Sequence, residues 1–374
     1  MSKNIFIDSF IIFWALFGLK FNAFLDTSAL FLIPALFYFR FTFETKLLVS
    51  LLFIYIIHVF ILAGTTQILD TWHMFQPLKS LLVILGIYGI LKKRNIKTVN
   101  NYIVNAILAH SIIVIIFYLF PFLQNSLNEI TGFNAKSMLR VNGFSHSYGT
   151  TSLMHIIALP FILKDKKKYK ALRIIIVLTS TIFLARVGLY AGILFLIIYN
   201  LNKLNLKKIL FFAISFIALL FALDFIISTD YKTIDSQYQI IFLTFKWAFE
   251  SFISIVQEGN FDNNSFNTLN VEYLNSTFLD FIFGTGDFGR NEVHLKTDIS
   301  YLLYFSYVGI FGLFILLLIH TRILFNKNIG YLLLSLVLLI TALKEATFLT
   351  RGIFPLYVLL LYEKEYAKSC INPR

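Results

Sequence analysis

The sequence predicts an all-helical protein that crosses a membrane many times, and three observations carry that prediction. Apolar runs of near-spanning length recur from one end of the 374 residues to the other. Hydrophobic residues make up 58% of the chain and charged residues 14%, with a mean hydropathy of +0.78, which is more apolar surface than a water-soluble domain of this size can use. Basic residues gather in short connections that fall on one side once the runs are threaded back and forth.

Hydropathy divides the chain into about twelve spans of roughly 15 to 20 residues. Their expected bounds are Ile5–Phe21, Ser28–Phe41, Lys46–Ala63, Leu78–Leu91, Tyr102–Phe120, Tyr148–Leu163, Leu172–Ala185, Val187–Leu201, Ile209–Ile227, Ile299–Ile319, Ile329–Leu343 and Phe348–Tyr362. The pair flanking Arg186 could also form one kinked segment. The first run lacks a small-residue cleavage site and reads as a retained span. With the N-terminus inside, the connections KKRNIK, KDKKKYK, KLNLKK and RILFNK and the tail EKEYAK all face the cytoplasm. The net charge of +12 is therefore a topology signal, and the even count puts both ends inside. The 43 Phe and 19 Tyr suit lipid contact and interfacial anchoring.

Two long connections then lie outside, over about residues 121–147 and 228–297. In the second, YQIIFLTFKWAFESFISIV places Lys246 and Glu250 among apolar residues at helical spacing, as in an amphipathic helix near the outer leaflet. No separate soluble domain, internal repeat or low-complexity tract interrupts residues 1–374, which read as a single transmembrane domain.

Several function classes find no support. Cys370 is the lone cysteine, so neither an intramolecular disulfide nor a thiolate metal cluster can form. There is no phosphate-binding loop of the ATPase kind, no His–Glu–x–x–His and no nucleic-acid motif. The connection KFNAFLDT holds only Asp26, so a metal-bound diphosphate site built on an acidic cluster is poorly supported. Asp8 and Asp224 are isolated, unlike the carboxylate chains of proton-coupled transporters. No metal or cofactor is expected.

Ionisable groups remain at the outer ends of the spans, where their cost invites a functional reading. They are Arg140, His146, Arg186, Arg290, His294 and Asp298. Arg186, in TSTIFLARVGLYAGILF, has no acidic neighbour in sequence and needs a distant carboxylate or an anionic ligand, unless it snorkels to headgroups. Arg140 leads the turn-rich RVNGFSHSYGTTS, whose small residues let a ligand approach the backbone; His146 there is a base, a donor or simply a loop residue. In FGTGDFGR, Gly284, Gly286 and Gly289 predict a flexible loop and Arg290 a bidentate phosphate ligand. Asp298 reads as a helix cap or as a general base, a role for which His294 competes.

At these residues the chain resembles the O-antigen polymerase (Wzy-type) and O-antigen ligase superfamily. RVNGFSHSYGTTS is similar to the family's arginine–glycine segment before a span, and TIFLARVGL to its short helix pair with an outer arginine. The outer loop closes with FGTGDFGR and then TDISYLLYFSYVGIFG. Ligase relatives tend to carry His–Asn–x–Tyr–Leu there, followed by a glycine. Tyr301, Leu302 and Gly309 match, whereas Asp298 stands at the histidine position, which points toward the polymerase branch. KEATFLTRGIF also resembles the family's penultimate segment.

The resemblance implies a C-type glycosyltransferase-like bundle in the bacterial inner membrane with its active site facing outward. Its substrates would be undecaprenyl-diphosphate-linked oligosaccharide repeat units, and its partners the lipid bilayer, a chain-length regulator and a flippase of the same pathway, with no nucleic acid. Arg186 and Arg290, with Arg140 next, would stabilise the leaving diphosphate without a metal. Asp298 or His294 would take the proton of the attacking hydroxyl. His146 and Tyr301 would contact substrate, and Trp247, Tyr238 and Tyr273 would stack on sugars or anchor at the interface. An O-antigen ligase and a lipid-linked oligosaccharide flippase or other transporter are the alternatives.

Overall fold

Helices that are apolar all round cannot be satisfied singly, so they bury one another. The structure is a computed structural model. It describes residues 3–21, 25–31, 43–66, 71–94, 99–132, 139–144, 147–164, 169–201, 234–250, 277–287, 300–324 and 329–342, with a few isolated positions besides.

The described chain is helical almost throughout. Helix α1 (Lys3–Phe17) leads into a two-residue antiparallel pair, β1 (Lys20–Phe21) with β2 (Leu25–Asp26), and then a 3-10 turn, Thr27–Phe31. The long helices α2 (Phe43–Thr66), α3 (Thr71–Arg94) and α4 (Val99–Leu119) follow, then the short α5 (Pro121–Thr131). Next come α6 (Tyr148–Ile156), α7 (Leu159–Lys164), α8 (Lys170–Leu184) and α9 (Arg186–Leu201). Helices α10 (Ser236–Ala248), α11 (Phe278–Phe283), α12 (Ser300–Leu324) and α13 (Ile329–Thr341) complete the described order.

Among the described residues, three helical stretches are long and apolar enough to cross a membrane: Lys46–Thr66, Asn101–Leu119 and Tyr301–Thr321. Phe6–Phe17, Phe75–Ile87 and Arg186–Asn200 are apolar but shorter. Twelve full-length spans are therefore not seen among the described residues. Of the expected runs, Ser28–Phe41 beyond its first turn, most of Ile209–Ile227 and all of Phe348–Tyr362 lie outside them.

Two expected spans are interrupted, and a third junction follows the expected division. Tyr148–Leu163 breaks at residues 157–158, just before Pro160, whose missing N–H could not have continued the ladder to Ile156. The pair around Arg186 is two helices, as expected, and not one kinked segment, because Ala185 is extended at φ −160°, ψ 141°. The other interrupted span breaks at Gly309 inside α12 (φ 64°, ψ −173°).

One apolar core joins most helices, with Leu52 and Tyr55 of α2, Ile87 of α3, Ile107 of α4, Phe195 of α9 and Leu316 of α12 fully buried in it. Helices α9 and α6 approach closely through Gly188 and Gly192. A Cβ at the first would lie 2.5 Å from Ser152 Cβ, and at the second 2.7 Å from Ile156 Cδ1. Small residues four apart allow this kind of seam in apolar surroundings. Helices α4 and α8 run the same way, with Tyr118 stacked on Phe183 near their C-terminal ends at 3.9 Å between ring centroids.

The Gly309 break corrects the reading of FGTG as a flexible loop. A broken helix leaves carbonyls without their i+4 donors. Thr285 N–H donates to Ser306 O at 2.8 Å, Gly286 N–H donates to Tyr307 O at 3.0 Å, and His58 Nε2 lies 3.0 Å from Val308 O. The loop is thus docked backbone to backbone on the break. Gly284 (φ 91°) and Gly309 touch so closely that a Cβ on Gly309 would lie 2.3 Å from Ile282 O and 2.5 Å from Gly284 N. We expect Gly309→Ala to destabilise the protein by roughly 2 kcal/mol or more, since backbone atoms cannot swing aside and the residue must keep positive φ. Gly64→Ala, where an added carbon meets nothing within 4 Å, should be neutral or up to about 1 kcal/mol stabilising. Thermal unfolding of the detergent-solubilised variants checks the contrast, which equal shifts would refute.

Candidate functional site

The C-terminal ends of α4 and α8 support a turn from Arg140 to Phe144 that carries its backbone into the bundle. Such a turn must find acceptors for its amides. Val141 N–H donates to Phe183 O at 2.9 Å, Gly143 N–H to Gln124 Oε1 at 3.0 Å, and Phe144 N–H to His110 Nε2 at 3.2 Å. Gln124 is itself oriented by donating through Nε2 to Asn128 Oδ1 at 2.9 Å. Helix α5 therefore turns its polar side, Gln124, Asn128 and Thr131, toward the protein and leaves Phe122 and Ile130 exposed. Asn142, 2% exposed, has a side-chain oxygen with no hydrogen-bond partner in the structure.

Arg140 at the head of this turn reaches Trp247 near the end of α10. Its Cζ lies 4.4 Å from the Trp247 ring centroid and 5.7 Å from that of Tyr148. Arg186, from the α8–α9 junction, lies against the same indole at 4.8 Å. Two guanidiniums from separate segments thus share one aromatic ring, a contact worth about 0.5–2 kcal/mol each depending on solvation.

Arg186 is placed where a cation is disfavoured, at the positive end of α9. Its compensation comes from the opposite pole of another helix. Arg186 Nη1 donates to Trp247 O at 3.3 Å and forms an ion pair with Glu250 Oε2, while the Tyr190 hydroxyl donates to Ala248 O at 2.8 Å. Helix α9 in this way caps the carbonyl end of α10. The side chain of Arg186 is 13% exposed and that of Glu250 42%, so the carboxylate is the solvated partner. Helix α10 is also tied to α4, since the Tyr118 hydroxyl donates to Thr244 Oγ1 at 2.8 Å. It is docked on the helix ends, with Tyr238 and Ile240 exposed.

Beneath the turn lies a buried polar chain. His110 Nδ1 is 2.8 Å from His155 Nε2, and His155 Nδ1 is 2.7 Å from Ser180 Oγ and 3.2 Å from Ser111 Oγ. Ser180 Oγ donates to Val177 O at 2.7 Å. Both imidazoles are fully buried, and His110 stacks on Phe17 with ring centroids 3.9 Å apart and planes 5° apart.

Of the residues singled out from sequence, Arg140, Arg186 and Trp247 are brought together. The expectation that Arg186 meets a distant carboxylate or an anion is met by Glu250. Trp247, read from sequence as a sugar-stacking or interfacial ring, presents its ring to two guanidiniums. Tyr301 donates its hydroxyl to Leu339 O at 2.7 Å, which ties α12 to α13. His146, Tyr273, Gly289, Arg290, His294 and Asp298 lie outside the described residues. Asp8, isolated in sequence, is buried in α1.

Sequence reasoning missed His110 and His155. The signal was present, as each is an ionisable residue in an apolar stretch, AILAHSII and SLMHIIAL. The pairing of Glu250 with Arg186 across 64 positions had no local signal.

Comparison with protein-family models, with curated proteins and with solved structures gives no match to this chain.

The Arg186–Glu250 pair should show a coupling of about 1 kcal/mol in a double-mutant cycle of Arg186→Met and Glu250→Gln, because one partner is solvated. The coupling should shrink in high salt. Thermal unfolding at two ionic strengths measures it; strict additivity of the two substitutions would show that the pair contributes nothing.

Proposed function

We propose that this protein is a membrane-embedded glycosyltransferase that joins undecaprenyl-diphosphate-linked oligosaccharide repeat units at the outer face of the bacterial inner membrane. The observation that carries the reading is the convergence of Arg140 and Arg186 on Trp247 at the end of the bundle where α4 and α8 finish. Two guanidiniums in a partly buried cluster suit the diphosphate head of a lipid-linked sugar.

In this reading the growing chain is the donor. A hydroxyl of the incoming repeat unit attacks the anomeric carbon of the donor. The new glycosidic bond forms as the bond to the diphosphate oxygen breaks, and the lipid diphosphate leaves with the electron pair. Asp298 or His294 takes the hydroxyl proton. Arg140 and Arg186, with Arg290, hold the developing charge, so no metal is called for. Glu250 occupies Arg186 before the anion arrives. A diphosphate carries more charge than this solvated carboxylate and displaces it, and the Trp247 ring keeps both guanidiniums in place during the exchange. Asn142 offers its buried oxygen to a sugar hydroxyl.

The single test is deletion of the gene followed by a surface-glycan gel. Single repeats in place of a ladder support the polymerase, whereas loss of all lipid-A-linked glycan supports a ligase. Purified protein given lipid-linked repeat units should form polymer without ATP or an ion gradient. Movement of the substrate across vesicles without new glycosidic bonds would replace the enzyme with a flippase. Arg186→Ala and Arg140→Ala should each lower polymer formation by about a hundredfold while the protein still inserts, the effect of losing one preorganised donor. Glu250→Gln should raise affinity for inorganic diphosphate, measured by Trp247 fluorescence; a fall would refute the displacement step.

A further inference from the structure

We propose that His110 and His155 are positioning residues, which hold the Arg140–Phe144 turn and with it the Arg140 guanidinium against Trp247. The proposal rests on Arg140 belonging to the anion site, but its test reads geometry rather than turnover.

The hydrogen bonds of this chain have a forced direction. A backbone N–H can only donate, so His110 Nε2, 3.2 Å from Phe144 N, is an acceptor. Neutral His110 then carries its proton on Nδ1 and donates to His155 Nε2 at 2.8 Å. Neutral His155 in turn carries its proton on Nδ1 and donates to Ser180 Oγ at 2.7 Å, which passes its own proton to Val177 O. The reverse order would set two N–H groups against each other at Phe144. Every link therefore points away from the turn.

That direction distinguishes a support from a proton wire. A wire needs ends that exchange protons with water. This chain begins at one backbone amide and ends at a backbone carbonyl, and neither titrates. It also differs from simple filling of space. His110 occupies the midpoint of the apolar stretch Asn101–Leu119, where a polar ring is costly and an apolar one would pack as well. What the ring alone supplies is an acceptor for the Phe144 amide. Gly143 sits directly on it, since a Cβ there would lie 2.6 Å from His110 Nε2. Phe17 stacks on the His110 ring and meets His155 edge-on, which fixes both planes.

Trp247 reports on the turn, because the chain has three tryptophans and the other two, Trp14 and Trp72, can be replaced by Phe. In that background, acrylamide quenching of Trp247 measures how well Arg140 covers the ring. We expect His110→Phe, which keeps the stack on Phe17 and removes the acceptor, to raise quenching as far as Arg140→Ala does. His110→Phe combined with Arg140→Ala should go no further. His110→Gln, whose amide oxygen can accept from Phe144 N–H, should stay near the parent. Parent-like quenching in His110→Phe overturns the proposal. So does an equal rise in His110→Phe and His110→Gln, which shows that restoring an acceptor for the Phe144 amide does not restore the turn. Should His110→Phe not fold, nitrogen-15 NMR of the unaltered protein decides, with the two histidines identified by coupling across their N–H···N bond. Protons on both Nδ1 atoms support the relay, and a proton on His110 Nε2 refutes it. Absence of polymer in the reconstituted assay would count against the enzymatic reading and leave these outcomes unchanged.

Discussion

A backbone amide or carbonyl without a partner inside an apolar bundle costs several kcal/mol, and this constraint organises the molecule. Continuous helices meet it internally. This chain breaks its helices at the Arg140–Phe144 turn, at residues 157–158, at Ala185 and at Gly309, and most of these breaks need outside help. At the turn the help comes from Phe183 O, Gln124 and His110; at Gly309 it comes from the FGTG backbone and His58. The costly polar residues of the interior are in these places the partners of interrupted backbone.

The same logic explains why the arginines meet where they do. The breaks at Ala185 and before Tyr148 bring two segments to one end of the bundle, each with an arginine at its head. Helix α10 lies across that end with its carbonyl pole turned toward Arg186. One indole then separates two like charges while attracting both, so the cluster can hold together before any anion arrives.

Much of this was legible in the sequence, for identifiable reasons. Hydropathy found the long helices because α2, α4 and α12 are apolar throughout. It overstated the continuity of α12 and of the Tyr148–Leu163 run. Gly309 is one glycine among many, and what makes it a break is Gly284, 25 residues earlier, which no local pattern joins to it. Arg140 and Arg186 stood out as charges without neighbours. Glu250 and Lys246 stood out only as marks of an amphipathic helix, since the tertiary fold alone chooses which of them meets Arg186. The histidines in α4 and α6 were visible as polar residues in apolar runs, yet their meaning depends on the amide of Phe144, which sequence does not display. Glycines in FGTG suggested freedom, but positive φ and close approach use them for the opposite purpose.

The clamp between Gly284 and Gly309 has an evolutionary consequence. It is made by main-chain atoms, which every amino acid carries, so nearly all side chains around it are free to drift. Divergence can then run far while the architecture persists, and descendants of one ancestor would share little beyond two glycines at matched positions and the spacing that lets them touch.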